Sequence, residues 1–241
     1  MNNENFLKTI TNSFVSYLKV GTSRSTAKLK DLHGNIAKDI EEKLGGNYTV
    51  KAQGYNEGAE GTLNGRYYEK RVDITIYNQK DKAIAGFAVK FVVRNYSQNS
   101  NNYFENMLGE TANIRSNKIP YFQIFIIFDK IPYYKKGGAF KKWDLLTPHN
   151  LQKYITLSND STSRFFHTPD KTLLVILHLK ESKESFNNET EYANYYISKK
   201  DDPDFLTYSN ICRNDFDADS NTIFNDYEKF IVKTCHFIKS I

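Results

Sequence analysis

The run Ala83-Ile84-Ala85-Gly86-Phe87-Ala88-Val89-Lys90-Phe91-Val92-Val93 does most to limit what this chain can fold into. It is strand-like and almost wholly apolar. A second strand-like run, Arg71-Val72-Asp73-Ile74-Thr75-Ile76-Tyr77, stands just before it, across the polar turn Asn78-Gln79-Lys80-Asp81-Lys82. The two predict an antiparallel hairpin with its turn near Lys80 and Asp81, which sets Asp73 opposite Phe87 or Ala88. Alternation along a strand puts Val72, Ile74 and Ile76 on one face and Asp73 and Thr75 on the other. On the second strand Phe87, Val89 and Phe91 share one face, and Gly86, Ala88 and Lys90 the opposite one. With Ala88 as the partner, Asp73 and Lys90 meet on one surface of an apolar hairpin, the outline of a site for a metal and a water.

The flanking sequence predicts a sheet with helices packed on it. Phe6, Leu7, Ile10, Phe14, Val15 and Leu18 recur at helical spacing over residues 4–20. A second helix over 24–44 carries Leu29, Leu32, Ile36, Ile40 and Leu44 on one stripe and stops at Gly45 and Gly46. Tyr48 to Ala52 reads as a short strand and Gly54 to Gly65 as a loop. After the hairpin come a polar segment, Asn95 to Asn102, a helix from Tyr103 to Ser116, and a buried strand, Tyr121 to Phe128. Helix, three strands, helix and strand in that order suggest a mixed sheet. Beyond Phe128 the chain becomes basic and aromatic from Ile131 to Lys142. A helix over 150–157, a strand Leu173 to Leu179, a polar region 181–220 and a final helix over 222–239 follow. No repeat and no interdomain linker is visible, so residues 1–241 read as a single domain with its core at about 24–128.

Composition narrows the partners. The 39% hydrophobic content, with 17 Tyr and 17 Phe, is enough for a core, which argues against disorder throughout. The net charge of +5 and pI near 8.9 suit a polyanion without demanding one. Cys212 and Cys235 are too few for a four-cysteine zinc site and fit a reducing compartment. The N-terminus has no basic, apolar leader, and the longest apolar runs, Ile124 to Phe128 and Leu173 to Leu177, cannot span a bilayer. The expectation is a soluble cytoplasmic protein.

An acid on one strand and a lysine on the next resembles the PD-(D/E)XK nuclease superfamily, which includes many restriction endonucleases. The resemblance covers residues 30–128 and extends to the order of elements. Asp73 stands at the family's aspartate and Lys90 at its lysine. Ala88 stands where the family carries Glu or Asp, and Val72 where it carries proline. In some restriction enzymes of the superfamily the following helix supplies the missing glutamate. Here that helix offers Glu105 and Glu110, which five residues of helix turn in different directions, and Glu110 is the favoured choice. Glu41, on the flank of the earlier helix, stands where the family often has a glutamate. The resemblance thus implies an α/β, restriction-endonuclease-like mixed central sheet flanked by helices, with a C-terminal α/β extension for sheet completion and DNA or dimer contacts. It also implies a Mg²⁺-dependent, sequence-specific endonuclease of the type II restriction kind, acting on double-stranded DNA as a homodimer. Asp73, Glu110 and the Val89 carbonyl would hold the metal, and Lys90 would stabilise developing charge or orient the attacking water. A relative that keeps the fold and binds DNA or another partner without cutting is the alternative, because of Ala88. A third reading is an interaction protein indifferent to nucleic acid.

Further residues are candidates for DNA contact. Asn95, Gln98 and Asn99, in the run Asn95 to Asn102, would read base edges, against the plainer reading of a solvated loop. Lys135, Lys136, Lys141 and Lys142, with Tyr133 and Tyr134 around Gly137 and Gly138, would contact phosphates and stack on bases, against a plain surface loop. Arg115 would meet a phosphate or simply face solvent. The five histidines have no metal spacing. Pro169-Asp170 matches half the motif by letters only, with no acid-x-lysine on the strand that follows it. Glu57 and Glu60 would border a cleft or belong to a flexible turn. No phosphate-binding Gly-x-x-x-x-Gly-Lys-Ser/Thr loop and no Gly-x-Ser-x-Gly elbow is present.

Overall fold

Phe6, Ile10, Phe14 and Leu18 line the buried stripe of α1 (Asn3–Val20), as their spacing predicts. The computed structural model describes residues 1–20, 27–56, 58–180, 185–217 and 219–241. Leu32, Ile36, Ile40 and Leu44 do the same on α2 (Ala27–Leu44); residues 24–26 of the expected helix lie outside the described residues. The chain continues through β1 (Tyr48–Ala52), β2 (Gly61–Asn64), β3 (Glu69–Val72), β4 (Ile74–Asn78), β5 (Ala83–Val92), α3 (Tyr96–Arg115) and β6 (Tyr121–Phe128). The later elements are β7 (Lys130–Tyr134), β8 (Phe140–Leu145), α4 (Pro148–Ser158), β9 (Lys171–Leu179), α5 (Glu189–Ser198), β10 (Leu206–Tyr208), β11 (Thr222–Phe224) and α6 (Tyr227–Lys239).

The central sheet is mixed, seven-stranded, and ordered β1-β4-β5-β6-β9-β10, with β11 also on β9. β5, β6 and β9 run parallel, while β4 is antiparallel to both β1 and β5. β10 and β11 share one edge of β9, pairing with Leu177–Leu179 and Thr172–Leu174 respectively. In the gap between them the Asn225 Oδ1 accepts the Ile176 N–H at 2.8 Å. Helices cover both faces. On one face Phe87 and Phe122 of the sheet meet Phe230 and Phe237 of α6, and Phe128 meets Phe14 of α1. On the other, Phe125 packs on Tyr96 of α3 and Tyr154 of α4.

The structure departs from the sequence reading at several places. The run 71–77 is two strands, broken at Asp73. β3 leaves the plane of the sheet and pairs with β2, with Gly61 opposite Val72, so part of the expected glycine-rich loop is a strand. The break also reverses Val72. It packs with Leu63, Ile114 and Tyr121 on the α3 face, whereas Ile74 and Ile76 face the α1–α2 side. A Cβ on Gly86 would lie 2.6 Å from the Leu63 Cδ1, so a glycine lets the β2–β3 hairpin lie flat on β5.

The other differences also have causes distant in sequence. α3 begins at Tyr96 because Asp144, on β8, accepts the Ser97 N–H at 2.8 Å and satisfies the first turn. The polar segment Asn95 to Asn102 is therefore mostly helix. The basic segment forms the β7–β8 hairpin around Gly137 and Gly138, and α5, β10 and a turn at Arg213–Asp215 lie within 181–220. The last helix starts at Tyr227, capped by the Asp226 side chain on the Lys229 N–H (3.1 Å), and 222–224 is a strand.

Candidate functional site

Extending the β4–β5 register, where Ile74 faces Phe87, brings Asp73 beside Ala88. Since β3 turns away there, the edge of β5 loses its strand partner. Asp73 replaces it: its Oδ2 accepts the Val89 N–H at 2.8 Å. A strand residue presents its N–H and C=O on the same edge, so the Val89 carbonyl faces the Asp73 side as well. Asp73, Val89 and Lys90 line a cleft of about 570 Å³ between the sheet, β3 and α3. Burial pushes the Asp73 carboxyl up to about 6. The Val89 N–H opposes that shift, the Glu110 charge adds to it, and Lys90 and Lys70 oppose it in turn.

Glu110 lines the same cleft from α3. Its Oε1 accepts from the Lys70 Nζ of β3 at 2.7 Å. Burial pulls Lys70 down, but the hydrogen bond and charge of Glu110 leave it above the usual lysine value. The other glutamates do not join this group. Glu105, five residues earlier on α3, is exposed outside the cleft, about 140° around the helix from Glu110, and its charge acts on Lys153. Glu41 is committed elsewhere, accepting from the Val50 N–H (2.8 Å) and the Tyr55 hydroxyl (2.5 Å). Neither lines the cleft with Asp73, so the structure does not bring these two expected residues to it.

Lys70 and Gln123 are among the cleft residues that escaped the sequence reading. Lys70 was hidden because one continuous strand would turn it away from Asp73; the break turns both into the cleft. Gln123 registers with Ala88 on the neighbouring strand and lines the cleft although only 4% exposed. A lone polar residue within the apolar run Tyr121 to Phe128 was the available signal, since a buried amide needs partners. Its Nε2 reaches Thr111 Oγ1 only at 3.5 Å. This chain therefore has an amide beside Ala88 on the neighbouring strand.

The expected DNA contacts divide into placed and misplaced residues. Asn95 and Asn99 line the cleft. The Asn95 Oδ1 accepts the Tyr134 N–H at 2.9 Å, so its side chain holds the β7–β8 hairpin. Gln98 is exposed and accepts from the Tyr133 hydroxyl at 3.1 Å. Lys135 and Lys136 are exposed at the hairpin turn, and the ammonium groups of Lys141 and Lys142 sit 5.2 and 5.7 Å from the Tyr133 ring. Arg115 is not a solvated charge. With its side chain 11% exposed, it donates to the Thr162, Phe165 and Thr168 carbonyls and pairs with Asp170 at 3.0 Å. His33 is buried. Glu60 accepts from the Gln53 Nε2 (2.9 Å), and Glu57 lies outside the described residues.

Among the described residues no group of three or more His, Cys, Asp and Glu side chains is placed to hold a metal ion, and no helix is long and apolar enough to cross a membrane. No protein-family model, curated protein or solved structure matches this chain.

Proposed function

We propose that the cleft hydrolyses phosphodiester bonds of double-stranded DNA, as a Mg²⁺-dependent, site-specific endonuclease on a restriction-endonuclease-like fold. One observation carries the reading: Asp73, Glu110 and Lys90 converge from three elements on one cleft. Lys70, Arg71, Lys90 and Arg94 line it against Asp73 and Glu110, and although Arg94 pairs with Glu189 the remaining excess of cations suits a polyanion.

The donors fit a hard cation. The carboxylates of Asp73 and Glu110 and the carbonyl of Val89 would hold Mg²⁺, with the Gln123 amide oxygen a further neutral donor at the Ala88 position. When bound, the ion supplies charge neutralisation at the scissile phosphate and lowers the pKa of a bound water. The chain's own groups do the rest. The Val89 N–H fixes the Asp73 carboxylate in place. Lys90 is exposed on β5, with its ammonium 5.2 Å from the Tyr103 ring. It stabilises negative charge as water bonds to phosphorus and the ester oxygen departs. A homodimer follows from the class, because a palindromic site needs two such clefts.

The Lys70–Glu110 ion pair supports a second reading, in which the fold binds DNA and has lost the chemistry. Incubating the purified protein with varied DNA and Mg²⁺ separates the two. Defined fragments that disappear with Asp73→Asn and with Lys90→Ala establish the enzyme. Salt-sensitive binding without cleavage, indifferent to both substitutions, establishes the other.

A further inference from the structure

The β2–β3 hairpin ends in a four-residue loop, Gly65–Tyr68, that is held unusually firmly for an exposed tip. Asn113 of α3, 2% exposed, accepts the Tyr67 N–H on its side chain (3.0 Å), donates to the Tyr68 carbonyl (3.0 Å) and accepts the Arg66 N–H on its own carbonyl (2.8 Å). A Cβ on Gly65 would stand 2.1 Å from the Asn113 amide nitrogen, so the close approach requires glycine. This buried amide fixes a loop whose two tyrosines point outward: Tyr67 is 76% and Tyr68 55% exposed. Folding alone favours burying such rings. Their rigid display marks a contact surface.

The surroundings of the tip specify its ligand. Arg66 is exposed, with its guanidinium 5.9 Å from the Tyr67 ring. Past the exposed Glu69, Lys70 and Arg71 of the same hairpin line the cleft beside Asp73. Tyr68 lies near enough to Lys70 and Tyr121 to act on both electrostatically. The tip therefore joins the cleft as one surface of ring faces and cations. Flat heteroaromatic rings spaced along a phosphate chain match that pattern, whereas a protein partner would favour apolar side chains over so many cations.

We propose that the β2–β3 tip grips the nucleic acid entering the cleft, with Tyr67 and Tyr68 packing on a base unstacked from the duplex and Arg66 on a phosphate. This rests on reading the cleft as a nucleic-acid site. Fluorescence anisotropy with a short fluorescein-labelled duplex and its single strand, in EDTA so that nothing is cut, measures it. Tyr67→Ala should weaken binding about 10-fold, Tyr67→Phe should not, and Arg66→Ala should lower the salt slope by about one. All three are exposed substitutions that leave the fold intact. Unchanged affinity in Tyr67→Ala overturns the proposal, as does a wild-type protein with no affinity for either strand. Loss of self-association with DNA affinity intact also overturns it, since the tip would then serve a protein partner. Cleavage with Mg²⁺, run in parallel with Asp73→Asn, keeps the two readings apart. Asp73-dependent cutting with an indifferent tip removes only the grip, and tip-dependent binding without cutting removes only the hydrolysis.

Discussion

Two aspartates sit beside the parallel strands of the sheet in nearly the same way, and only one opens on the proposed site. Asp73 accepts the N–H of Val89 at 2.8 Å; Asp170 accepts that of Tyr121 at 3.0 Å. Burial raises both carboxyls above the ordinary range, and α3 sends a charged residue to each. At Asp170 that residue is Arg115, whose remaining donors go to three carbonyls, so the cluster is closed. At Asp73 it is Glu110, a like charge, while Lys90 and Lys70 are too weakly placed to overcome burial. The first arrangement ties α3 to the segment before β9. The second leaves negative charge incompletely compensated at an open cleft, where a cation or a phosphate has something to gain.

The largest effect that would break this comparison is on stability at the closed cluster. Arg115→Ala leaves Asp170 buried without its counter-charge and the Thr162 and Thr168 carbonyls without their guanidinium donor. It should cost about 3–5 kcal/mol in a urea titration. If the loss is under about 1 kcal/mol, Arg115 is not structural and its phosphate role reopens.

The mirror-image substitution belongs to the open site. Lys90→Ala should lower DNA cleavage about 10²–10³-fold. Being exposed, it should leave stability within about 0.5 kcal/mol. Equal loss of both would make Lys90 a structural residue and collapse the contrast with Arg115.

What the sequence could convey about these clusters follows from the range of each interaction. Asp73 and Lys90 were legible because strand alternation and a short turn place them within one hairpin. Helix geometry showed that Glu105 and Glu110 point apart, but not which of them meets the cleft. Lys70 was not, because the break at Asp73 depends on β3 pairing with a strand hidden in a glycine-rich loop. Arg115 was misjudged because its partners lie 47 to 53 residues further along the chain. The start of α3 depended on Asp144, from a hairpin that local propensity did not reveal. Both β6 and β1 were read with their observed bounds, since a buried run and a strand just after a glycine stop carry their own signals.

Titration sharpens the comparison at a smaller scale. The native state holds the Asp73 proton more tightly than the unfolded chain does, with the carboxyl at about 6 against 3.8. The group's stabilising contribution is therefore full below 3.8 and lost as pH rises through about 6. Asparagine keeps the acceptor for the Val89 N–H and cannot ionise. Asp73→Asn should thus raise stability by about 1–3 kcal/mol above neutral pH. The gain should shrink to nothing at acid pH. A pH-independent difference would mean that the Asp73 carboxyl is not held in a desolvated, like-charged setting.

The smallest effect concerns the ion pair that most resembles the closed cluster. Lys70 sits 2.7 Å from the Glu110 Oε1, where a divalent ion would need the same oxygen. Methionine keeps the length of the side chain and removes the charge. Lys70→Met should therefore tighten Mg²⁺ or Mn²⁺ binding to the DNA-free protein about 10-fold, a gain of about 1.4 kcal/mol by calorimetric titration. Unchanged or weaker metal binding would show that Lys70 does not compete for Glu110. It would then act like Arg115, as a fixed counter-charge, and the two clusters would differ in exposure rather than in kind.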